Sequence, residues 1–219
     1  MGWTVRRAPA VSAIIALNAV VLLGWQAARS DPTLKRFMVE HFLGSSAHLA
    51  HGYVWTLLTS TFSHMELWHF ALNMFVLWSF GTILERLWGT RAFIAFYLFA
   101  GLTASASHCL VTSLYLGDGS RAGLGASGAI AGLLLVFALH FPRHKILAFG
   151  VIPLPALAGA LLFIGLDVWG LLTQGAGGGL PIGHGAHLGG SFAGGVAYLA
   201  YFRRRFVPGS ARPAATPSG

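Results

Sequence analysis

Three short stretches carry side chains whose types and spacing permit covalent chemistry in otherwise apolar surroundings. "GLGASGAIAG" sets Ser127 among glycines, "HGAHLGG" ends its polar part on His187, and "HFALN" holds His69 and Asn73 four residues apart. A neutral imidazole can take a serine proton while the oxygen attacks a peptide carbonyl, so Ser127 and His187 suggest acyl transfer. The oxyanion formed in that attack needs donors already aimed at it. The backbone N–H of Ser127, the amide of Asn73 and an N–H of His69 are the candidates, and Gly125 and Gly128 let backbone approach the reacting group. Asp167, Glu85 and Glu66 are assigned other depths, so the expectation is a Ser-His dyad without an acidic third member.

These residues sit in a chain built for lipid. Of 219 residues, 55% are hydrophobic and 9% charged, against about 25% charged in a soluble domain. The net charge of +8 comes from 14 Lys and Arg scattered at the ends of apolar runs, with no basic stripe and no nucleic-acid motif, which excludes a nucleic-acid partner. The single cysteine, Cys109, excludes an intramolecular disulfide and a Cys-based zinc site.

Apolar runs cover residues 10–25, 67–84, 93–116, 127–141, 146–172 and 186–202. They predict an all-α, polytopic bundle of six transmembrane helices in one domain, residues 1–205, followed by a disordered Pro/Ser/Ala-rich tail at 206–219. The first run reads as an uncleaved helix rather than a signal peptide. Residues 26–66 form a long outer segment whose "GYVWTLLTSTF" suits the outer leaflet. Arg6, Arg7, Arg86, Arg91, Arg143, Lys145, Arg203, Arg204, Arg205 and Arg212 gather on one side, ten of the 14 cations. The positive-inside rule then places both termini inside.

On this topology the second, fourth and sixth helices run from outside to inside with their polar residues near the outer end. Ser127 and His187 each precede an inner arginine, Arg143 and Arg203, by 16 residues, or about 24 Å at the helical rise. His69 and Asn73 bracket that depth and share a helix face. Gly190 and Gly194 share the face of His187, while Gly128 and Gly132 stand in GxxxG spacing and Ala131 lies on the side of Ser127. Close approach of the fourth and sixth helices is expected to bring Ser127 within reach of His187.

Each piece has a plainer reading. A serine in a membrane helix commonly bonds a carbonyl of its own or a neighbouring helix, and an intramembrane histidine suits proton transport as well as catalysis. His64 and His69, with His184 and His187, raise a metal site as a minor alternative. No HExxH is present, so no metal and no cofactor is expected; His64 and His184 are assigned to loop structure, and His108 and His140 to packing. Trp25, Trp55, Trp68 and Trp88 read as an interfacial belt.

Taken together, "WTLLTSTFSH", "HFALN", "ERLWG", "GASG" and "AHLGGSFAG" resemble, in order, the motifs of rhomboid intramembrane serine proteases over residues 53–202. The resemblance implies Ser127 as nucleophile, His187 as base and then acid, and His69 with Asn73 in the oxyanion hole. It implies transmembrane proteins as substrates and the bilayer as surroundings; the alternative is a catalytically silent relative that binds transmembrane helices. "LGASGAI", "FPRHKIL" and "HGAHLGG" are similar to the mitochondrial presenilin-associated branch. That branch usually has a further N-terminal helix and a transit peptide, which points this chain to a bacterial inner membrane with both termini cytoplasmic. Two departures stand out. Some relatives stack a tyrosine, four residues after the nucleophile, on the catalytic imidazole, where this chain has Ala131. Trp55-Thr56 replaces the Trp-Arg often found in the first outer loop.

Overall fold

The computed structural model describes residues 7–148 and 151–205. The tail at 206–219, with Arg6 and Arg212, lies outside the described residues. The long helices are α1 (Pro9–Ala27), α5 (Leu67–Trp88), α6 (Thr90–Tyr115), α7 (Ser127–His140), α8 (Ala156–Gly175) and α9 (His184–Ala197, continuing to Arg205). Between α1 and α5 lie the short helices α2 (Pro32–Phe42), α3 (Ser46–Ala50) and α4 (Thr56–Thr59). Among the described residues, α1, α5, α6 and α8 are long and apolar enough to cross a membrane. Large apolar side chains such as Leu23, Phe75, Trp78, Trp169 and Phe192 are exposed on the outside, while Asn18, His64, Glu85 and Asp167 are buried inside. That inverted distribution belongs to a protein solvated by lipid.

α7 is the centre of the bundle. Its 14 residues reach about 21 Å, short of a hydrocarbon core of about 30 Å, so its first residue, Ser127, starts below one surface. Residues Gly128–Leu133 are all buried, as expected of a helix that is apolar all round. Packing against α9 goes through glycine. A Cβ added at Gly190 would stand 1.8 Å from the carbonyl oxygen of Gly128, and one at Gly194 would stand 2.6 Å from that of Gly132. The small-residue faces anticipated from spacing therefore do meet.

α1 is an integral part of the fold. Its Ala10 and Val11 N–H groups, unpaired within the helix, each donate at 2.9 Å to the buried Glu85 carboxylate on α5, which also accepts from Thr90 Oγ1 at 2.8 Å. "GYVWTLLTSTF" lies partly inside the protein: Thr56, Ser60 and Thr61 are buried, and Ser60 Oγ meets Ser105 Oγ of α6 at 3.2 Å.

The structure departs from expectation at two places. Residues 145–148 and 152–155 are not the start of a helix. They form an antiparallel pair of strands, β1 (Lys145–Ala148) with β2 (Ile152–Pro155), in the register Ile146 to Leu154. Pro153 and Pro155 lack the N–H a helix interior needs, so α8 begins at Ala156 rather than Ile146, and the fold is all-α apart from this ribbon. The tryptophan belt also divides. Trp55 and Trp68 are exposed, but Trp25 is buried and donates to Ser63 Oγ at 2.7 Å, while Trp88 stacks on Phe202 at 3.9 Å between centroids.

The glycine contact has a direct test. Gly190→Ala should lower stability by about 1–3 kcal/mol or more through overpacking, measured as the midpoint of unfolding in mixed micelles. Gly195→Ala, whose added Cβ meets only Leu135 Cδ2 at 3.9 Å, should leave that midpoint unchanged or slightly raised.

Candidate active site

Ser127 is the first residue of α7 and His187 lies in the first turn of α9. Because the two helices touch through glycine, Ser127 Oγ and His187 Nε2 come to 2.9 Å. On the far side of the ring, Nδ1 lies 2.9 Å from Asp167 Oδ1 of α8. A carboxylate only accepts, so the Nδ1 position carries the proton and Nε2 presents its lone pair to the Ser127 hydroxyl. The expectation that no carboxylate shares this depth is corrected by this contact.

The missed residue has a physical explanation. Counted from an inner start at Ile146, Asp167 lies 21 residues along its helix, about 31 Å by the helical rise and so at the opposite surface. Counted from Ala156 it is about 16 Å, so the two counts fall on either side of the roughly 24 Å of Ser127 and neither sets the two residues level; the packing of α8 against His187 does. Pro153 and Pro155, which hold the helix start back to Ala156, were the available signal that the apolar run is not one helix.

His184 is likewise not a loop residue. It opens α9, and its Nδ1 donates to the same Asp167 Oδ1 at 2.7 Å. Its ring packs on the backbone of α8 where Gly170 leaves room; a Cβ there would stand 2.3 Å from His184 Nε2. Phe163, one turn before Asp167, faces His187 with ring centroids 5.4 Å apart. α8 thus supplies both an aromatic neighbour and a carboxylate for the imidazole.

Ser127, His187, His69, Asn73, Trp68 and Phe163 line one cavity of about 670 Å³. At its floor is the start of α7, whose first N–H groups have no intrahelical partner and whose dipole favours negative charge. Gly125 has φ +116°, and a Cβ there would press to 2.9 Å from His69 Cε1; this is the one turn at the site that requires glycine. Asn73 Nδ2 donates to the His69 carbonyl at 2.9 Å, which ties HxxxN into one unit. His64 is fully buried beneath the turn, and its Nε2 accepts the Ala126 N–H at 3.5 Å. His108 meets the Arg121 carbonyl at 3.2 Å and His140 meets Trp88 Nε1 at 3.4 Å, as packing residues do.

A serine and an imidazole sharing a hydrogen bond inside a helical bundle, in a cavity at a helix start, define an integral membrane protein with a polar centre. The chain belongs to the Rhomboid family: the Rhomboid domain matches residues 51–205. It is 34% identical over 198 residues to Presenilin-associated rhomboid-like protein A, mitochondrial, of Danio rerio, covering 87% of this chain and 47% of that protein. It is 35% identical over 198 residues to the Rattus norvegicus presenilin-associated rhomboid-like protein, mitochondrial, covering 87% and 48%. With Rhomboid protein 1, mitochondrial, of Saccharomyces cerevisiae it shares 35% identity over 187 residues, covering 84% and 51%. The chain spans about half the length of these relatives. All three are mitochondrial by name, so the expectation of a bacterial inner membrane finds no support among them.

Burial, with His69 beside it, pushes the His64 imidazole down to about 3, against about 6.5 in an unfolded chain. The unfolded state therefore binds the proton first, and folding stability falls as pH drops from about 6.5 toward 3, by up to about 1.4 kcal/mol per pH unit. Unfolding midpoints at pH 7 and pH 5 should show that loss, and His64→Gln should flatten the part due to this ring.

Proposed function

We propose that the protein is an intramembrane serine endopeptidase acting on single-pass transmembrane proteins. The observation that carries this reading is the continuous line from Ser127 Oγ through His187 Nε2 and Nδ1 to Asp167 Oδ1, with both separations 2.9 Å. His187 takes the serine proton as Oγ attacks the scissile carbonyl. Asp167 holds the tautomer and steadies the imidazolium that forms. The oxyanion is received by the Ser127 N–H, with His69 and Asn73 at the side of the same cavity. His187 then returns its proton to the departing amine, and water, activated by the same ring, releases the acyl group.

The bilayer sets the substrate requirement. A transmembrane helix hides its carbonyls in its own hydrogen bonds, so cleavage is expected where Gly or Pro weakens the helix and small residues flank the cut. Six spans, with the cavity opening to the face opposite the arginine-rich ends, complete the reading; water then reaches the acyl-enzyme from that face.

In liposomes containing a single-pass substrate, Ser127→Ala should abolish cleavage while keeping the native unfolding midpoint, and His187→Ala, which also removes a partner of Asp167, should abolish cleavage in a chain that still folds with a lowered midpoint. Retained cleavage in either rejects the assignment. A fluorophosphonate should label Ser127 in the native chain; a folded protein that resists labelling would instead be a silent helix-binding relative. Asp167→Asn preserves shape but not charge and should lower single-turnover cleavage by about a hundredfold or more, in the range general-base catalysis supplies.

A further inference from the structure

Asp167 Oδ1 accepts two N–H donors while Oδ2, which is buried, has no hydrogen-bond partner among the described residues. The Asp167 side chain is 5% exposed, with His184 and His187 at 8% and 11%. A carboxylate in a low-dielectric interior is costly without a compensating cation, and no Lys or Arg forms an ion pair with Asp167 among the described residues. Asp167 and His187 suffice to orient the base. His184 is surplus to that task, yet it is seated with care against Gly170.

We infer that Asp167, His184 and His187 form a binding site for a divalent transition-metal ion of the zinc class. One nitrogen from each imidazole and one carboxylate oxygen lie within 4.8 Å of one another. Both Nδ1 atoms already converge on a single oxygen, at 2.7 and 2.9 Å. An ion with bonds of about 2.0–2.2 Å in tetrahedral geometry separates its ligand atoms by about 3.3 Å, so it replaces the two shared protons with sub-ångström shifts of the side chains. Two imidazoles and a carboxylate are a donor set that borderline metals such as zinc accept and that calcium or magnesium, which favour all-oxygen shells, do not. The ion, with a hydroxide from water in its fourth position, balances the carboxylate charge and offers a partner to Oδ2. Access is through the catalytic cavity, whose wall includes His187 and Gly183.

The consequence for the site follows from the tautomer and rests on the peptidase reading above; metal binding itself does not. A metal on Nδ1 of His187 moves the ring proton to Nε2. Nε2 then donates to Ser127 Oγ and no longer accepts its proton, so the metal-bound form is latent and becomes active when the ion leaves.

Cobalt(II) titration of the purified chain in detergent is the test, because four-coordinate cobalt absorbs in the visible. A one-to-one band, displaced by zinc, is expected in the native chain and in Ser127→Ala. Asp167→Asn and His184→Ala should each weaken it by about tenfold or more, as loss of a metal-binding partner does. Zinc should slow fluorophosphonate labelling of the native chain and have little effect on labelling of His184→Ala, with reversal by a chelator. No cobalt band in the native chain, or a band undiminished in both variants, overturns the site. A cobalt band in a chain that cannot be labelled even when metal-free sustains the site and counts against the peptidase instead.

Discussion

The backbone contact between α7 and α9 is the constraint on which the rest depends. Lipid offers no hydrophobic drive for helices to associate, so close packing and interhelical polar contacts must supply the attraction. Gly128 and Gly132 on one helix, with Gly190 and Gly194 on the other, let carbonyl groups lie where side chains would otherwise stand. Ser127 is the immediate neighbour of Gly128, and His187 lies three residues before Gly190. The 2.9 Å separation of hydroxyl and imidazole is thus a by-product of helix packing rather than of loop placement, and it inherits the rigidity of that packing.

A second constraint is that buried polar groups need partners. Glu85 meets it by capping the start of α1 and holding Thr90. The α7 turn meets it with backbone, through Gly125 N to Ser60 O at 2.9 Å and the Gly44–Gly123 bridge. Asp167 meets it with one oxygen only. Asn18 and His64 also leave one buried polar atom without a partner among the described residues, but Asp167 is the carboxylate among them.

Much of this arrangement is legible in the sequence because membrane helices obey simple length and charge rules. The 16-residue interval from Ser127 to Arg143 and from His187 to Arg203 fixes a common depth, and the small-residue spacing fixes a common face. Both hold because α7 and α9 are nearly uninterrupted between those markers. α8 is different. Its inner boundary is set by prolines in an apolar stretch, not by charge, and a hydropathy reading runs straight through residues 146–155. That error shifts the count for Asp167 by about 15 Å, so helix boundaries give no reliable depth for it and a dyad is read where the structure has a carboxylate. His184 is missed for a related reason: at the mouth of a glycine-rich loop it looks like loop chemistry until α9 is seen to start on it.

α8 also explains how a weakly packed helix can serve the site. It is the least buried of the four long spans, at 22% of its window against 39% for α6. Its inward stripe is Ala156, Ala160, Phe163, Asp167 and Gly170, spaced four, three, four and three residues apart, which is one helix face. Two alanines and a glycine contribute little apolar area, so the polar contacts of Asp167 and the ring contact of Phe163 carry a large share of the docking. The same contacts orient His187. Attachment of α8 and readiness of the imidazole are consequently one equilibrium: whatever draws α8 away from α9 also releases the proton on Nδ1 from its acceptor.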